Sequence, residues 1–175
     1  LKEFKATHIG VVFDHKDKTF RSNIYPDYKA NRPPPPDDLV PQFQLIRDAT
    51  EAFGFLAIDK KGYEADDIIA TMAKNATDED AIVTIFSSDK DLMQLVSDDI
   101  KMYDPIRNIF IDIDRVREKF GVTPDKVIDV QALIGDKVDN IPGVPGVGVK
   151  TASSLISEFQ TLENLVEKYE AIDKD

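Results

Sequence analysis

The 175-residue sequence has no cysteine, which excludes disulfides, thiolate nucleophiles and zinc–sulfur sites and suits a reducing compartment. With only two histidines, a Ser–His dyad has little support. No apolar run reaches membrane-spanning length, and the first residues lack the charged-then-apolar layout of a signal peptide. A cytoplasmic protein with no membrane partner is therefore expected. Basic residues are in deficit, 22 Lys and Arg against 33 Asp and Glu, for a net charge of −11. That balance is unusual for a nucleic-acid binder, but it is an average, and clustered metal-binding acids can hide a basic surface elsewhere. The chain opens on Leu1-Lys2-Glu3-Phe4 without a Met, so a fragment of a longer protein is expected.

What is present supports a folded domain. Hydrophobic residues make up 42% of the chain, enough for a substantial core, and the length suits one domain with a small appendage. The organising stretch is Gly62-Tyr63-Glu64-Ala65-Asp66-Asp67, which runs into Ile68-Ile69-Ala70-Thr71-Met72-Ala73-Lys74. Helical spacing predicts a helix starting at Glu64 and ending near Asn75, with Glu64 and Asp67 on one face. Acids in a first turn also complement the helix dipole, so capping alone explains one or two of them. Three carboxylates within four residues repel one another and gain more from a shared cation.

The remaining elements follow from periodicity. Thr7 to Phe13 reads as a buried strand that stops at Asp14, where open α/β sheets gather ligands, although an ordinary strand-ending acid fits as well. The segment Phe20 to Arg32 is aromatic and basic without a clear helical stripe. Arg21, Lys29 and Arg32 can pair with phosphates and Tyr25 or Tyr28 can stack on bases, while a solvated loop is the plain alternative. Pro33 to Pro36 forms a stiff spacer, and Asp37 or Asp38 is expected to cap a helix with Leu45, Ile46, Ala49, Ala52 and Phe53 as its buried stripe and Gly54 as its stop. Phe55 to Ile58 and Ala81 to Phe86 read as strands. The second leads into Ser87-Ser88-Asp89-Lys90-Asp91, and an acidic loop is expected at Thr77 to Asp80. This alternation argues for βαβ units and a largely parallel sheet.

Past Ile100 the pattern changes to a hairpin of strands around a turn at Pro105 to Asn108, then helices over Asp114 to Phe120, Asp125 to Ile134, through Ser154 and Phe159, and through Leu162 and Tyr169. Between the second and third of these helices stand Gly135-Asp136-Lys137-Val138-Asp139-Asn140 and Gly143-Val144-Pro145-Gly146-Val147-Gly148-Val149-Lys150-Thr151. The glycine run fails the P-loop spacing, because Val149 separates Gly148 from Lys150 and a helix precedes it where a P-loop follows a strand. A helix–hairpin–helix fits better, with backbone N–H groups and a helix N-terminus facing a phosphate; a plain interhelical turn is the other reading. Taken together, Asp14, Glu64, Asp66, Asp67, Asp89, Asp91, Asp136 and Asp139 form an oxygen-rich donor set of the kind hard ions such as Mg²⁺ or Mn²⁺ prefer. A pair of such ions can activate water and stabilise a departing phosphate oxygen.

These motifs, in this order, resemble the 5′-nuclease domain of bacterial DNA polymerase I, kin to the flap endonucleases. The resemblance runs through Val-Val-Phe-Asp14, Phe20-Arg21, Tyr28-Lys29-Ala30-Asn31-Arg32-Pro33-Pro34, Gly62 to Asp67, Ser88-Asp89-Lys90-Asp91, Gly135-Asp136, Asp139-Asn140-Ile141-Pro142-Gly143 and the following hairpin. It implies an α/β, PIN-like nuclease core over residues 1–115, N-terminally truncated, with an arch at about 20–40, and a helix–hairpin–helix subdomain over 116–175. It implies hydrolysis of 5′ flaps, RNA primers or duplex and nicked DNA ends with two Mg²⁺ or Mn²⁺ ions. Asp14, Glu64, Asp66 and Asp67 would serve a first metal, Asp89 and Asp91 the centre of the cluster, and Asp136 and Asp139 a second metal. In the arch, Lys29, Arg32 and Arg21 would steer the scissile phosphate and Tyr25 and Tyr28 would meet the strand. Gly143, Gly146, Gly148, Lys150 and Thr151 would hold duplex backbone, with K⁺ at the hairpin. Members also carry an earlier strand with an Asp-Gly motif and C-terminal helices leading to a polymerase domain, neither of which this sequence includes. The alternatives are a module that binds duplex DNA without cutting, or a stand-alone nuclease acting on other structured nucleic acids.

Overall fold

The structure, a computed structural model, describes residues 4–169, which separate into two compact units divided between Ile69 and Ala70. In the first unit, β1 (Gly10–Val12) pairs in parallel with β2 (Leu56–Ile58), with Val11 opposite Ala57. A further bond from Phe13 N–H to the Ile58 carbonyl, 2.8 Å, carries the ladder one residue past β1. Between the strands lie α1 (Arg21–Ile24) and α2 (Val40–Ala52). α3 (Ala65–Asp78) follows β2.

The second unit holds the core. β3 (Val83–Phe86) runs parallel to β4 (Ile100–Asp104), and β4 pairs antiparallel with β5 (Ile109–Ile111). Behind the strands come α4 (Ile113–Phe120), α5 (Val127–Ile134), α6 (Val149–Phe159) and α7 (Leu162–Glu167). Met102, Val116, Val127, Val130 and Ile156 are completely buried, so β4 and one stripe of each of α4, α5 and α6 share one apolar interior. α4 has well-formed ends. The Asp112 carboxylate accepts from Arg115 N–H at 3.0 Å, and Gly121 closes the helix at φ +74°.

The α/β class and the largely parallel pairing agree with the sequence reading, but the described strands form two sheets, β1–β2 and β3–β4–β5, where one was expected, and several details differ. The strand expected over Thr7 to Phe13 is regular only at Gly10–Val12, and that over Ala81 to Phe86 only from Val83. α3 continues to Asp78, so Thr77 and Asp78, expected in a loop, complete its last turn. The stretch Asp125 to Ile134 begins as a 3₁₀ turn, Pro124–Lys126, before α5. The largest departure is α2. Leu45, Ile46 and Phe53, expected to be buried, are 63, 50 and 79% exposed, and Leu39, not Asp37 or Asp38, occupies the N-cap position with no side-chain cap. The periodicity correctly marks a helix. Among the described residues of this unit, α2 lies mainly against the three-residue β2, with Arg47 reaching the Phe13 ring and Asp59, too little surface to cover a 13-residue stripe. No described helix is long and apolar enough to cross a membrane.

Candidate metal centre

In the first unit the end of β1 delivers Asp14 to the surface, where its Oδ1 accepts from Ala65 N–H at 2.7 Å and so caps α3 from outside the helix. At the same helix start, Asp67 Oδ2 accepts from Glu64 N–H at 2.9 Å, one half of a capping box. Arg21 grips Asp67 with two parallel hydrogen bonds, Nη1 to Oδ2 at 2.7 Å and Nη2 to Oδ1 at 2.8 Å. Glu64 Oε2 accepts from Lys29 Nζ at 2.9 Å and from the Tyr28 hydroxyl at 3.0 Å. Asp66 is half-buried in the first turn of α3.

The cations reach these acids because of local turns. Phe20 N–H bonds the Gly62 carbonyl at 3.1 Å, and the Phe20 ring lies 5.8 Å from that of Tyr63 and 4.7 Å from the Arg21 guanidinium. Residues 25–32 form consecutive turns, with Lys29 in the left-handed region at φ +57°. Arg32 is exposed and Tyr25 half-buried in the same stretch. Arg21, Tyr28 and Lys29 thus stand directly on the acids of α3. A second layer escaped the sequence reading: Arg47 donates to Asp59 at 2.8 Å and to the Asp14 carbonyl at 3.0 Å, steadying the turn after β1.

The Arg21 hydrogen bonds hold the Asp67 carboxyl below its ordinary value of 3.8, against the opposing effect of partial burial, and the same pairing raises Arg21. A depressed folded-state pKa means that the stabilisation is complete above pH 3.8 and is lost as pH falls through the lower folded value. Arg21→Met should cost about 1–2 kcal/mol at neutral pH, the range for a charge-assisted pair that is partly solvent-screened. The difference between the two proteins should shrink as pH falls below 3.8, which urea unfolding at stepped pH would measure.

In the second unit β3 leads into Ser87, whose Oγ accepts from Asp89 N–H at 3.0 Å, and Asp89 Oδ1 accepts from Asp91 N–H at 2.9 Å. Asp91 opens a 3₁₀ turn, Asp91–Leu95, anchored by buried Leu92 and Met93. Asp136 follows Gly135 at the end of α5, and an exchange of backbone bonds with Ile141 (2.8 and 2.7 Å) closes the loop carrying Asp136 and Asp139. Val138 N–H bonds Asp136 Oδ1 at 2.7 Å, and Asp139 is buried.

The Lys90 ammonium joins the two acidic segments. It bonds Asp136 Oδ2 and lies 3.4 Å from Asp91 Oδ1, an oxygen that also accepts from Gln131 Nε2. Partial burial opposes charge on both partners. The Lys90 hydrogen bond and the backbone donors outweigh it at Asp136, lowering its carboxyl, and the two carboxylates outweigh it at Lys90, raising the amine. Lys90 and Gln131 were invisible as site residues, Lys90 because it reads as spacing between two acids. Asp104 was missed as well. Only 3% exposed at the end of β4, it accepts from Ser88 Oγ at 2.7 Å and from Ile106 and Arg107 N–H, tying the segment before Asp89 to the β4–β5 turn. An acid closing an apolar strand just before Pro105 was the available signal.

Among the described residues no three His, Asp or Glu side chains are grouped as a finished metal cage. The donor chemistry nonetheless fits a hard divalent cation. Every candidate is a carboxylate, and Asp91 and Asp136 already converge on a single cationic nitrogen. Beyond Gly143, the turn before α6 places Gly148 at the N-cap, and a Cβ on Gly146 or Gly148 would meet nothing within 4 Å. Lys150 and Thr151 are exposed in the first turn of α6. Gly143 differs from these, because its backbone packs against Ile134 and Gly135.

A carboxylate-bearing α/β part followed by a glycine-linked helix pair defines a nuclease-like class of fold. Comparison with known proteins narrows this class. Residues 1–121 match the family described as 5′-3′ exonuclease, N-terminal resolvase-like domain, and residues 122–175 match 5′-3′ exonuclease, C-terminal SAM fold. The chain belongs to the 5′-3′ exonuclease family. It is 55% identical over 162 residues to DNA polymerase I of Rhizobium leguminosarum, covering 93% of this chain and 16% of that protein. It is 40% identical over 175 residues to a 5′-3′ exonuclease of Aquifex aeolicus, covering all of this chain and 61% of that protein. The chain therefore spans less than two thirds of these curated relatives. Among solved structures, T5 5′-exonuclease with bound zinc is 25% identical with a TM-score of 0.87, covering 99% of this chain and 68% of that one. A T5 protein co-crystallised with metal ions is 26% identical with a TM-score of 0.89, covering 99% and 70%.

Proposed function

We propose that this chain is the catalytic part of a structure-specific 5′-nuclease that hydrolyses phosphodiesters at 5′ flaps, nicks or duplex ends and removes RNA primers during replication and repair. The observation that carries the reading is the placement of Asp14 after β1 and of Asp89 and Asp91 after β3, with Asp91 and Asp136 meeting one Lys90 nitrogen, in a member of the 5′-3′ exonuclease family. Asp14, Glu64, Asp66 and Asp67 form one donor set, and Asp89, Asp91, Asp136 and Asp139 the other. Both sets suit Mg²⁺ or Mn²⁺, which when bound supply an activated water and neutralise charge on the phosphodiester.

The chain's own residues divide the remaining work. Arg21 and Lys29 hold Asp67 and Glu64 in fixed rotamers and, with Arg32, present positive charge to the scissile phosphate. Tyr25 and Tyr28 offer ring faces to an unpaired base. The open turn of Gly146 and Gly148, with Lys150 and Thr151, receives duplex backbone at the N-terminus of α6, Gly143 fixes that turn against the end of α5, and K⁺ at the hairpin belongs to the same reading. On this reading DNA is the partner and the setting is the cytoplasm, and a parent chain with a polymerase domain, as in the relatives named DNA polymerase I, fits it.

The test is a comparison of matched 5′-flap, 3′-flap and single-stranded DNA with this chain in Mg²⁺. Cutting of the 5′ flap alone, leaving a 5′-phosphate, is the expected result. Equal cutting of both flaps, or binding without cutting, would overturn it; the latter would favour a binding module.

A further inference from the structure

We propose that Lys90 is a tethered counter-ion that competes with a divalent cation for Asp91 and Asp136 and so sets the metal affinity of that donor set, an inference that rests on the metal reading above. Asp91 lies five residues past the end of β3 and Asp136 follows α5, and Gln131 and Val138 N–H fix the two carboxylates in place. Two carboxylates held this close repel each other, and the cost rises as they lose water. The Lys90 ammonium meets both, bonding Asp136 Oδ2 and lying 3.4 Å from Asp91 Oδ1.

Its backbone explains why the ammonium is always at hand. Lys90 is the residue that leads into the Asp91–Leu95 turn, which buried Leu92 and Met93 lock to the core, so the four-carbon stem starts from a fixed point. At 35% exposed, the Lys90 side chain is neither sealed in nor free in solvent, and its ammonium can swing out to water when a stronger cation arrives. A divalent ion entering between Asp91 and Asp136 must take the oxygen that Lys90 holds on Asp136. Binding is therefore an exchange, weaker than it would be at bare carboxylates by the attraction the ammonium loses.

Mn²⁺ binding to the wild-type chain and to Lys90→Met, followed by electron paramagnetic resonance and calorimetry without DNA, tests the exchange. The expected result is Mn²⁺ affinity at least about tenfold tighter in Lys90→Met, with lower thermal stability of that variant in EDTA. Equal or weaker Mn²⁺ binding in the variant, beside measurable binding by the wild type, would overturn the counter-ion role and leave the metal reading standing. Absence of Mn²⁺ binding in both proteins would overturn both. Should the variant not fold, acylation of amines in the wild-type chain, read by mass spectrometry, gives the answer directly. Lys90 should react faster in saturating Mg²⁺ than in EDTA, and an unchanged rate would sink the proposal.

Discussion

Gly143→Ala should cost the second unit about 3 kcal/mol, the upper end of the range for overpacking, because no side-chain movement can relieve it. A Cβ at Gly143 would lie 2.3 Å from both the carbonyl carbon and oxygen of Ile134 and 2.6 Å from the nitrogen of Gly135. All three are backbone atoms, so relief requires separating the end of α5 from the strand-like turn that follows Ile141. That separation breaks the Asp136–Ile141 bridge and the 2.8 Å bond from Val144 N–H to the Leu133 carbonyl. Gly135→Ala should be as severe, since a Cβ there would lie 2.3 Å from Gly143 nitrogen at a φ of +68° that side chains rarely adopt. Gly146→Ala is the internal control. Its φ of +79° carries strain but its surroundings are open, so the loss should be about 1 kcal/mol. Urea unfolding of the three variants would establish the order, and a Gly143→Ala protein as stable as Gly146→Ala would contradict the packing described here.

Asp89→Ala combined with Asp91→Ala should abolish cleavage by at least about 1,000-fold, the scale of several kcal/mol of transition-state stabilisation lost with a metal site. The same change should leave the fold nearly intact. Asp89 is exposed, Asp91 is half-buried, and the 3₁₀ turn they precede is held by Leu92 and Met93. Loss of activity with an unchanged circular dichroism spectrum and melting temperature would separate a chemical role for these acids from a structural one. A large drop in melting temperature would show that they are structural supports.

Much of this could be read from residue order. The runs Gly-Val-Val before Asp14 and Val-Thr-Ile-Phe before Ser87 gave strands followed by acids, because continuously apolar runs favour strands, but the expected burial did not follow: β1 has no buried residue and β3 only Ile85. The helix at Glu64 and the helix pair around Gly143 to Gly148 were equally legible. Tertiary partners were not. The stripe of α2 carries the correct period but remains exposed, because period reports a face and not what covers it. The pairings of Arg21 with Asp67 and of Lys90 with Asp136 each span 46 residues, and nothing local predicts them. Gly143 illustrates a different limit. Its place in a glycine-rich turn suggests contact with a phosphate, whereas its surroundings reveal a backbone crossing that fixes Asp136.

On the proposed function these carboxylates, with a divalent ion, cut a phosphodiester. Cleavage of one 5′-flap DNA by the wild-type chain and by the Asp89→Ala, Asp91→Ala variant in Mg²⁺, with DNA binding measured in Ca²⁺, decides it. Cutting by the wild type alone and comparable DNA binding by both are expected. Equal cutting by the two proteins, or none by a folded wild type that binds the DNA, would contradict it.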